Sequence, residues 1–554
     1  MFFLKLSDQA VEYSAGGRIM FSKGFGTFSI VAILVLLPVL STWEGTEGTI
    51  VDDKPVSLEK GEVKTLIIHS DDSINIHIDF GPPVISQLNV DGEKYSTLSF
   101  SGSTPTGSVG KPMLPALNIP IALPDENARM EIETGSTIGI ITDDHLLPLQ
   151  EADPDMIGEE ETGFAMDSGF YSSPVSYPSS QIDRIGGRIS DVPFNILEIT
   201  PALMKSSPHE VQWTTSIDVE MTWDQAERIL VDSSSPFLDI YPRIFENWEH
   251  FDYSLIPSPT KPYQGNGCDF VIITHPSLIN ASMKLAAWKN MKGTETHVYD
   301  LDQIGRTREE IMSFMEYCYE DMNPRPYHFL FMGDSDLVPT NYVTGHPYYY
   351  DRYLIGTDLY YSTVSGSDYF PDLFTGRIPA NNQSHAEMMV NKIINYELDP
   401  PRHEGFYENV TLAAYFQDND RDDYADRRFA QTSEETYQFT KSLGYNSSRI
   451  YYADSTVTPQ YWNLGTYSSG EPIPPQLLRS NGFGWNGSKR DITDAFHNGS
   501  FLITHRDHGG TYGWGEPSFH TSDVRNLKNG ELLPVVFSIN CLTGYFDNET
   551  SLGP

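Results

Sequence analysis

A histidine and a cysteine near the end of the sequence, His508 and Cys541, are spaced for nucleophilic catalysis. The apolar run GSFLIT (499–504) leads into the stretch HRDHGG, which contains His508, and the run LLPVVFSIN (532–540) leads directly into Cys541. An unassisted thiol is mostly protonated at neutral pH, whereas histidine can accept that proton and later return it to a leaving group. The two residues therefore predict a cysteine nucleophile with His508 as general base and acid, which is the chemistry of acyl transfer.

The residues around His508 leave a second interpretation open. Gly509 and Gly510 let the backbone come close to a substrate, and their amides could face a developing oxyanion. His505 lies three residues before His508, so the two rings could instead bind a metal ion in a hydrolase that uses nearby acids. The third and fourth ligands that a zinc ion requires have no obvious source in this stretch.

His508 and Cys541 can meet if neighbouring strands of one parallel sheet carry them, because such strands end at the same edge. The 33 positions that separate them include a predicted helical stretch at 524–528, capped by the run TSD (521–523), which returns the chain to the next strand. Continuous apolar runs alternate with helical patterns from Gly267 onward, which is typical of an α/β domain. Further strands are predicted at 269–274, 296–301, 327–333 and 409–416, and helices at 276–292 and 308–320.

The first half of the chain has the pattern of an all-β domain. Short alternating runs such as INIHIDF (74–80) and VQWTTSIDVEMTW (211–223), separated by Gly, Pro, Ser and Asp, fill residues 56–223. A proline-rich stretch follows and predicts an exposed linker that a protease could cut. We therefore predict a multidomain chain with a signal peptide or membrane anchor at 1–43, a β-rich domain at 44–254, a linker at 255–267 and an α/β domain with a mostly parallel sheet at 268–554.

Charge and cysteine content narrow the function classes. The chain has 36 basic and 76 acidic residues, a formal net charge of −40, which argues against nucleic acid as a partner because a phosphate backbone is bound by clustered Lys and Arg. Three cysteines cannot build a disulfide framework, and their odd number leaves a free thiol. Cys268 and Cys318 fall in an apolar run and a helical stretch, so we expect them to be buried and Cys541 to be the reactive one.

The amino-terminal segment predicts export. Residues 25–42 form an uncharged apolar run that follows Arg18 and Lys23 and precedes an acidic stretch beginning at Glu44. This arrangement is typical of a signal peptide or a single membrane anchor, with Met20 as a start that gives a basic region of ordinary length. The sequence therefore predicts a secreted or cell-surface protein that contacts a membrane only through this segment.

The stretch HGGTYGWGEPSFHTSDVRNLKNGELLPVVFSINCLTGYFD (508–547) resembles the catalytic stretch of the gingipain family. The family pattern has His-Gly, then Trp-Gly six residues after the His, a helix ending in Leu-x-Asn, and a strand ending in Cys before a Gly and an aromatic. The matching positions here are His508-Gly509, Trp514-Gly515, Leu527 to Asn529, Cys541, Gly544 and Phe546. Asp507 departs from the pattern, since a Gly often precedes the His. The similarity continues through FLFMGDSDLVP (329–339) and DYFPDLFTGRIPA (368–380), while GKPMLP (110–115) and LEITPALM (197–204) resemble the family's prodomain.

The resemblance implies a secreted cysteine endopeptidase in zymogen form, with a caspase-like α/β/α catalytic domain and a Cys541/His508 dyad. It also implies protein or peptide substrates, no required cofactor, and a prodomain that shields the cleft as an inhibitor until it is cut away. Asp418, which follows the run at 409–416, matches a family acid that orients the catalytic imidazole. Trp514 joins Gly509 and Gly510 as a residue of the oxyanion site or substrate pocket.

The resemblance also carries expectations about specificity, ions and chain length. The best-known family members accept Arg or Lys through acidic pocket residues, so a basic preference is the default, although Arg428 or Phe429 stands near that position here. Calcium is expected only as a structural ion at surface acids, with Asp334, Asp336 and Asp372 as candidates. Family members continue with further strands, which we expect beyond Pro554, thirteen residues after Cys541.

Two alternatives to a cysteine peptidase stay open at this point. One is a non-catalytic surface adhesion or sorting protein of the same fold, against which the presence of both dyad residues argues. The other is the metal-dependent hydrolase that would use His505 and His508.

Overall fold

The computed structural model describes most of the chain after the amino-terminal segment. The described residues are 58–90, 92–125, 127–150, 163–172, 176–205, 209–224, 228–259, 265–344, 354–419, 421–463 and 471–547. The apolar run at 25–42, which carries the export prediction, lies outside them. Within these residues, no helix has the length and apolar character needed to cross a membrane.

The first part of the described chain consists almost entirely of strands, as predicted. Alternation explains why: in the second strand, residues 73–80, Ile74, Ile76 and Ile78 are buried while the side chains between them are more exposed. Two short helices, α1 (Ser168–Ser172) and α2 (Tyr241–Ile244), interrupt the strands. The strands are β1 (Val63–His69), β2 (Ser73–Phe80), β3 (Val84–Val90), β4 (Glu93–Ser99), β5 (Thr104–Thr106), β6 (Leu114–Ala122), β7 (Arg129–Thr134), β8 (Thr137–Ile141), β9 (His145–Leu146), β10 (Ile182–Ile189), β11 (Val192–Ile199), β12 (Ala202–Met204), β13 (Glu210–Thr214), β14 (Ser216–Thr222), β15 (Ile229–Asp232) and β16 (Tyr253–Ile256).

These strands form several small sheets whose buried residues pack in hydrophobic clusters. The main orders are β1-β2-β14-β7, β10-β11-β6-β5, β12-β13-β8 and β3-β4-β9. The alternating run at 211–223 is divided between two of them, because β13 and β14 separate at Thr215. Trp213 on β13 is fully buried, packs edge-on against Phe80 and Phe100, and donates its indole N–H to the Gly81 carbonyl at 2.9 Å.

The second part of the chain begins with a four-stranded parallel sheet that has helices on both faces. Its order is β18-β17-β19-β22, with β17 (Phe270–Thr274), β18 (Thr296–Asp300), β19 (His328–Met332) and β22 (Phe374–Ile378). Val271 and Ile273 point to the face covered by α5 (Arg308–Asp321), whereas Ile272 points to the face covered by α3 (Ile279–Met291) and α6 (Gln383–Leu398). The remaining elements here are α4 (Leu301–Ile304) and the hairpin of β20 (Asn341–Thr344) and β21 (Leu354–Thr357).

A second four-stranded parallel sheet carries the residues predicted to do chemistry. Its order is β24-β23-β25-β29, formed by β23 (Asn409–Tyr415), β24 (Asn446–Tyr452), β25 (Leu502–Arg506) and β29 (Val535–Ile539). Leu412 and Ala414 pack toward α7 (Phe429–Ser442), and Ala413 packs toward α8 (Lys489–Asn498). Between β25 and β29 lie the short strands β26 (Gly509–Gly510), β27 (Gly513–Trp514) and β28 (Phe519–His520), and the helix α9 (Thr521–Val524).

Several predicted boundaries in this part were wrong, for identifiable reasons. Strand β25 extends through His505 and Arg506, because both residues continue the pairing with β29. The helix expected at 524–528 lies instead at 521–524, with His520 rather than the run TSD as its cap. In the β-rich part, strand β16 ends at Ile256, within the predicted linker, and the linker itself stays a prediction.

The β-rich part and the first parallel sheet share one hydrophobic core. Phe194 packs edge-on against Phe370 with ring centroids 4.7 Å apart, and Phe237 stacks on Phe374 at 4.6 Å. Polar contacts join the same two regions at the β10–β11 turn. Arg325 contacts Asp191 at 2.6 Å, and the amide of Ser190 donates to the Asp372 carboxylate at 2.8 Å.

Candidate active site

The predicted catalytic residues lie at the carboxyl edge of the second parallel sheet. Strand β23 runs between β24 and β25, so the chain order reverses at its end, and the segments after β23, β25 and β29 converge there. His508 follows β25 by two residues, and Cys541 follows β29 by two residues. Neighbouring strands thus carry both, as the spacing predicted.

A close backbone approach brings the His508 and Cys541 segments together. A Cβ atom added to Gly509 would lie 2.4 Å from the carbonyl oxygen of Cys541 and 3.0 Å from the Cβ of Asn540. Such distances are too short for any side chain, so glycine at position 509 allows the backbone next to His508 to touch the backbone of Cys541. Arg506 adds a link, since its guanidinium donates to the Ile539 carbonyl at 3.2 Å.

Cys541 is the exposed thiol among the three cysteines. It is partly exposed, whereas Cys268 and Cys318 are fully buried. Burial raises the pKa of the Cys268 thiol to about 12 and also raises the pKa of Cys318. The residue after Cys541 is Leu542, which has φ +58°, a conformation that side chains other than glycine seldom adopt. The chain therefore turns sharply at the candidate nucleophile.

A hydrogen-bonded network braces the segment before and after Cys541. The amide of Asn540 bonds to His505 Nδ1 at 2.6 Å, and its oxygen accepts the hydroxyl of Thr543 at 2.6 Å. Ser538 also donates to this oxygen, and the indole N–H of Trp514 donates to Ser538 at 2.7 Å. Side chains from β25, β27 and β29 therefore hold the two ends of the loop that carries Cys541.

His505 is a structural residue of this network. Its ring is fully buried and stacks on Trp514, with centroids 4.2 Å apart and planes 6° from parallel. Burial lowers the pKa of His505 to about 3, so the ring stays neutral and its Nδ1 accepts from Asn540. Nothing in the described residues groups three or more metal-ligating side chains, and this geometry does not favour His505 and His508 as a metal pair.

Gln417, a residue that the sequence interpretation passed over, contacts His508 directly. Its side-chain oxygen lies 2.7 Å from His508 Nε2. Phe429, the first residue of α7, meets the same ring edge-on at a centroid distance of 5.2 Å. The only available signal for Gln417 was its place directly after the buried run at 409–416, beside Asp418. Positions 428 and 429, near the expected pocket acid, are arginine and phenylalanine.

Asp418 accepts hydrogen bonds from backbone amides of its own loop. It is buried, and its two carboxylate oxygens accept the amides of Asp422 at 3.1 Å and Asp423 at 3.2 Å. Those bonds stabilise the turn after β23, where Asp423 has φ +73°. The orienting role implied for Asp418 by the resemblance stays a prediction.

The remaining predicted site residues are Gly509, Gly510 and Trp514. Gly509 and Gly510 pair with Trp514 and Gly513 in a small antiparallel ladder, which places them beside the site, and their oxyanion role stays a prediction. Trp514 is buried behind the Cys541 loop rather than open to a pocket.

The calcium candidates are not all surface acids, contrary to expectation. Asp334 and Asp372 are buried, and the Asp372 oxygens accept the backbone amides of Ser190 and Ser365. Asp336 is exposed.

Comparison with known proteins places this chain among peptidases. The model of Peptidase family C25 matches residues 263–554. Lys-gingipain HG66 of Porphyromonas gingivalis is 23% identical over 487 residues, which cover 84% of this chain and 25% of that protein. Gingipain R2 of Porphyromonas gingivalis strain ATCC 33277 is 22% identical over 462 residues, covering 79% of this chain and 54% of the relative.

The alignments with solved structures cover less of this chain than the alignments with the curated relatives. The crystal structure of the Arg-specific cysteine proteinase gingipain R aligns with a TM-score of 0.39 and 20% identity, covering 52% of this chain and 58% of that one. The complex of the Porphyromonas gingivalis RgpB pro- and mature domains aligns with a TM-score of 0.39, also at 20% identity, over 50% of this chain and 56% of that one. The chain spans between a quarter and about half of the length of the curated relatives given above.

Proposed function

The chain belongs to peptidase family C25, and from this premise we propose that it is a cysteine endopeptidase with Cys541 as nucleophile and His508 as general base and acid. The observation that carries the proposal is the backbone contact at Gly509, which joins the end of β25 to the end of β29. This contact holds the segments of the imidazole and the thiol side by side. Cys541 is also the one cysteine of the three that is not buried.

The proposed reaction follows from the two side chains. The thiol proton of Cys541 passes to His508, and the sulfur attacks the peptide carbonyl carbon to form a C–S bond. As the C–N bond breaks, the imidazolium gives its proton to the leaving amine. A water molecule then hydrolyses the thioester, with His508 accepting the water proton, and Cys541 is released as the thiol.

Selective alkylation tests this assignment in the full chain. Iodoacetamide at neutral pH is expected to label Cys541 and to stop peptide hydrolysis. Cys268 and Cys318 are internal controls, because their burial and raised pKa values keep them protonated. Cys541→Ala is expected to lose hydrolysis, whereas Cys318→Ala is expected to keep the alkylation site. Full hydrolysis by Cys541→Ala would refute the mechanism, and a folded wild-type chain without hydrolysis would favour the non-catalytic alternative.

We propose that the β-rich part at 44–254 is a prodomain that inhibits the enzyme until the segment at 255–267 is cut. The shared core and the Arg325–Asp191 contact support a β-rich part that is bound to the rest of the chain before the cut. Cleavage in the linker, followed by gel filtration and hydrolysis assays, tests this. Activity that is fully present before cleavage would contradict the inhibitory role.

We further propose that the protein acts outside the cell on protein or peptide substrates and needs no cofactor. The basic and apolar character of the first 42 residues supports export. Detection of the mature amino terminus in culture medium or on the cell surface tests the location. Hydrolysis that survives a strong chelator at unchanged protein stability tests the independence from metal ions, and a peptide library tests the default preference for Arg or Lys.

A further inference from the structure

We propose that Gln417 is the residue that orients His508, so that a neutral amide takes the place that a carboxylate holds in a triad. This inference rests on the proposed function of His508. Its structural basis is the 2.7 Å contact between Gln417 Oε1 and His508 Nε2.

The direction of this hydrogen bond determines which nitrogen of His508 can act as base. An amide oxygen only accepts hydrogen bonds, so Nε2 of His508 must carry the proton that it donates to Gln417. In the neutral ring, Nδ1 then holds the lone pair and is the atom that can take the thiol proton. Gln417 therefore selects the tautomer of the neutral ring that has its lone pair on Nδ1.

The surroundings of Gln417 keep its side chain in place. It is 4% exposed and follows the last residues of β23, where Phe416 donates its amide to Tyr452 at 2.8 Å. The carbonyl of Gln417 accepts the amide of Asp426 at 2.9 Å. Backbone bonds before and at Gln417 thus fix the position from which the amide reaches His508.

A second contact fixes the plane of the imidazole. The rings of Phe429 and His508 meet at an interplanar angle of 86°. The guanidinium of Arg506 lies 4.8 Å from the centroid of the Phe429 ring. The Gln417 bond sets the direction of Nε2 and the Phe429 edge limits rotation about it. Both contacts therefore restrict the orientation of the imidazole.

A neutral partner has a chemical consequence that a carboxylate would not have. A carboxylate within hydrogen-bond distance stabilises the imidazolium and raises the pKa of histidine, whereas an amide oxygen has no net charge. Gln417 therefore stabilises the thiolate–imidazolium pair less than a glutamate at position 417 would. The alkaline limit of activity, which reports loss of the imidazolium proton, should lie at correspondingly lower pH.

Two substitutions in the full chain test the inference through the pH profile of kcat/KM. Gln417→Glu keeps the shape of the side chain and is expected to raise the alkaline pKa of the profile by about one unit or more. Gln417→Ala removes the acceptor and is expected to lower kcat roughly 10- to 100-fold with little change in KM, because the tautomer and orientation are lost while the substrate-binding surface is kept. Gln431→Glu, which adds the same charge on α7 where Gln431 bonds to Glu435, is the matched control and should leave the alkaline pKa unchanged.

A second measurement distinguishes the loss of His508 orientation in the Gln417 variants from a loss of folding or a failure of the proposed mechanism. The pH dependence of Cys541 alkylation reports the thiolate directly, and Gln417→Glu is expected to shift thiolate formation to lower pH. An alkaline pKa and an alkylation profile that both match wild type in Gln417→Glu, or full kcat in Gln417→Ala, would overturn the inference. If Cys541→Ala still hydrolysed peptides, the proposed function itself would fail, whatever the Gln417 variants do.

Discussion

Replacing Asp372 by asparagine is expected to change how the stability of the chain depends on pH. This carboxylate is fully buried between the β-rich part and the first parallel sheet. Its oxygens accept the amides of Ser190 and Ser365, each at 2.8 Å, and so connect the two regions. Burial raises the pKa of Asp372 from 3.8 to about 7, because the protein replaces the water that would stabilise its charge.

The sign and size of the effect follow from this difference in pKa. Between about pH 4 and pH 7 the folded chain keeps a proton on Asp372 that the unfolded chain has released, so the contribution of Asp372 to stability falls as pH rises. At 1.36 kcal/mol for each pH unit, a pKa difference of about three corresponds to roughly 4 kcal/mol of unfolding free energy. Asparagine does not titrate. It loses one of the two backbone bonds, which costs about 1–3 kcal/mol at every pH.

Urea unfolding of the full chain, followed by tryptophan fluorescence, measures the effect at about pH 4.5 and about pH 8. Both proteins should carry Cys541→Ala to prevent self-cleavage. The unfolding free energy of Asp372→Asn relative to its parent is expected to rise by roughly 3–4 kcal/mol between the two pH values. Asp143→Asn, at an exposed position, is the control and should show no such rise. A difference that is the same at both pH values would refute the reasoning.

Three further substitutions test the packing. Arg325→Ala leaves the partly buried carboxylate of Asp191 without its ion-pair partner and should lower the unfolding free energy by roughly 3 kcal/mol. Arg402→Ala, at an exposed pair, should cost under about 1 kcal/mol, and urea titration measures both losses. Trp213→Ala should cost about 3–5 kcal/mol by the same measurement, and a loss under about 1 kcal/mol would contradict its place in the core. Gly187→Val should weaken the attachment of the β-rich part by about 1–3 kcal/mol, since a Cβ there would lie 2.7 Å from the Phe370 ring. Dissociation after linker cleavage measures this last effect, and unchanged dissociation would argue against the contact.

The apolar strands could be predicted because their residues are buried on both faces. The runs at β17, β19 and β23 are nearly continuous in hydrophobic residues, so their type and position followed from composition alone. Strands β22 and β24 were missed because polar side chains are buried in them through ion pairs. Arg377 on β22 binds Asp358 at 2.7 Å, and Arg449 on β24 binds Glu434 at 2.6 Å. A criterion based on hydrophobicity cannot recognise a charge that is neutralised by a residue distant in the chain.

The positions of site residues could be predicted where they depend on the ends of strands. Contacts between side chains in the site could not be predicted. The spacing of His508 and Cys541 was enough to place them at the same edge of the sheet. The contact of Gln417 with His508 joins residues 91 positions apart, and no periodicity encodes it. The burial of His505 under Trp514 could not be predicted either, because it depends on a hairpin that forms after β25.

The hydrophobic core formed by residues on both sides of the predicted linker affects the cooperativity of unfolding. Aromatic residues before the linker, including Phe237 and Trp248, pack in one cluster with Val271 and Phe329 after it. Regions that share a core melt together, so we expect one calorimetric transition for the β-rich part and the first parallel sheet. A cut between Ile256 and Cys268 would turn this unit into a complex of two chains held by the same core. Its melting temperature would then rise with protein concentration, as for any heterodimer, whereas that of the intact chain would not.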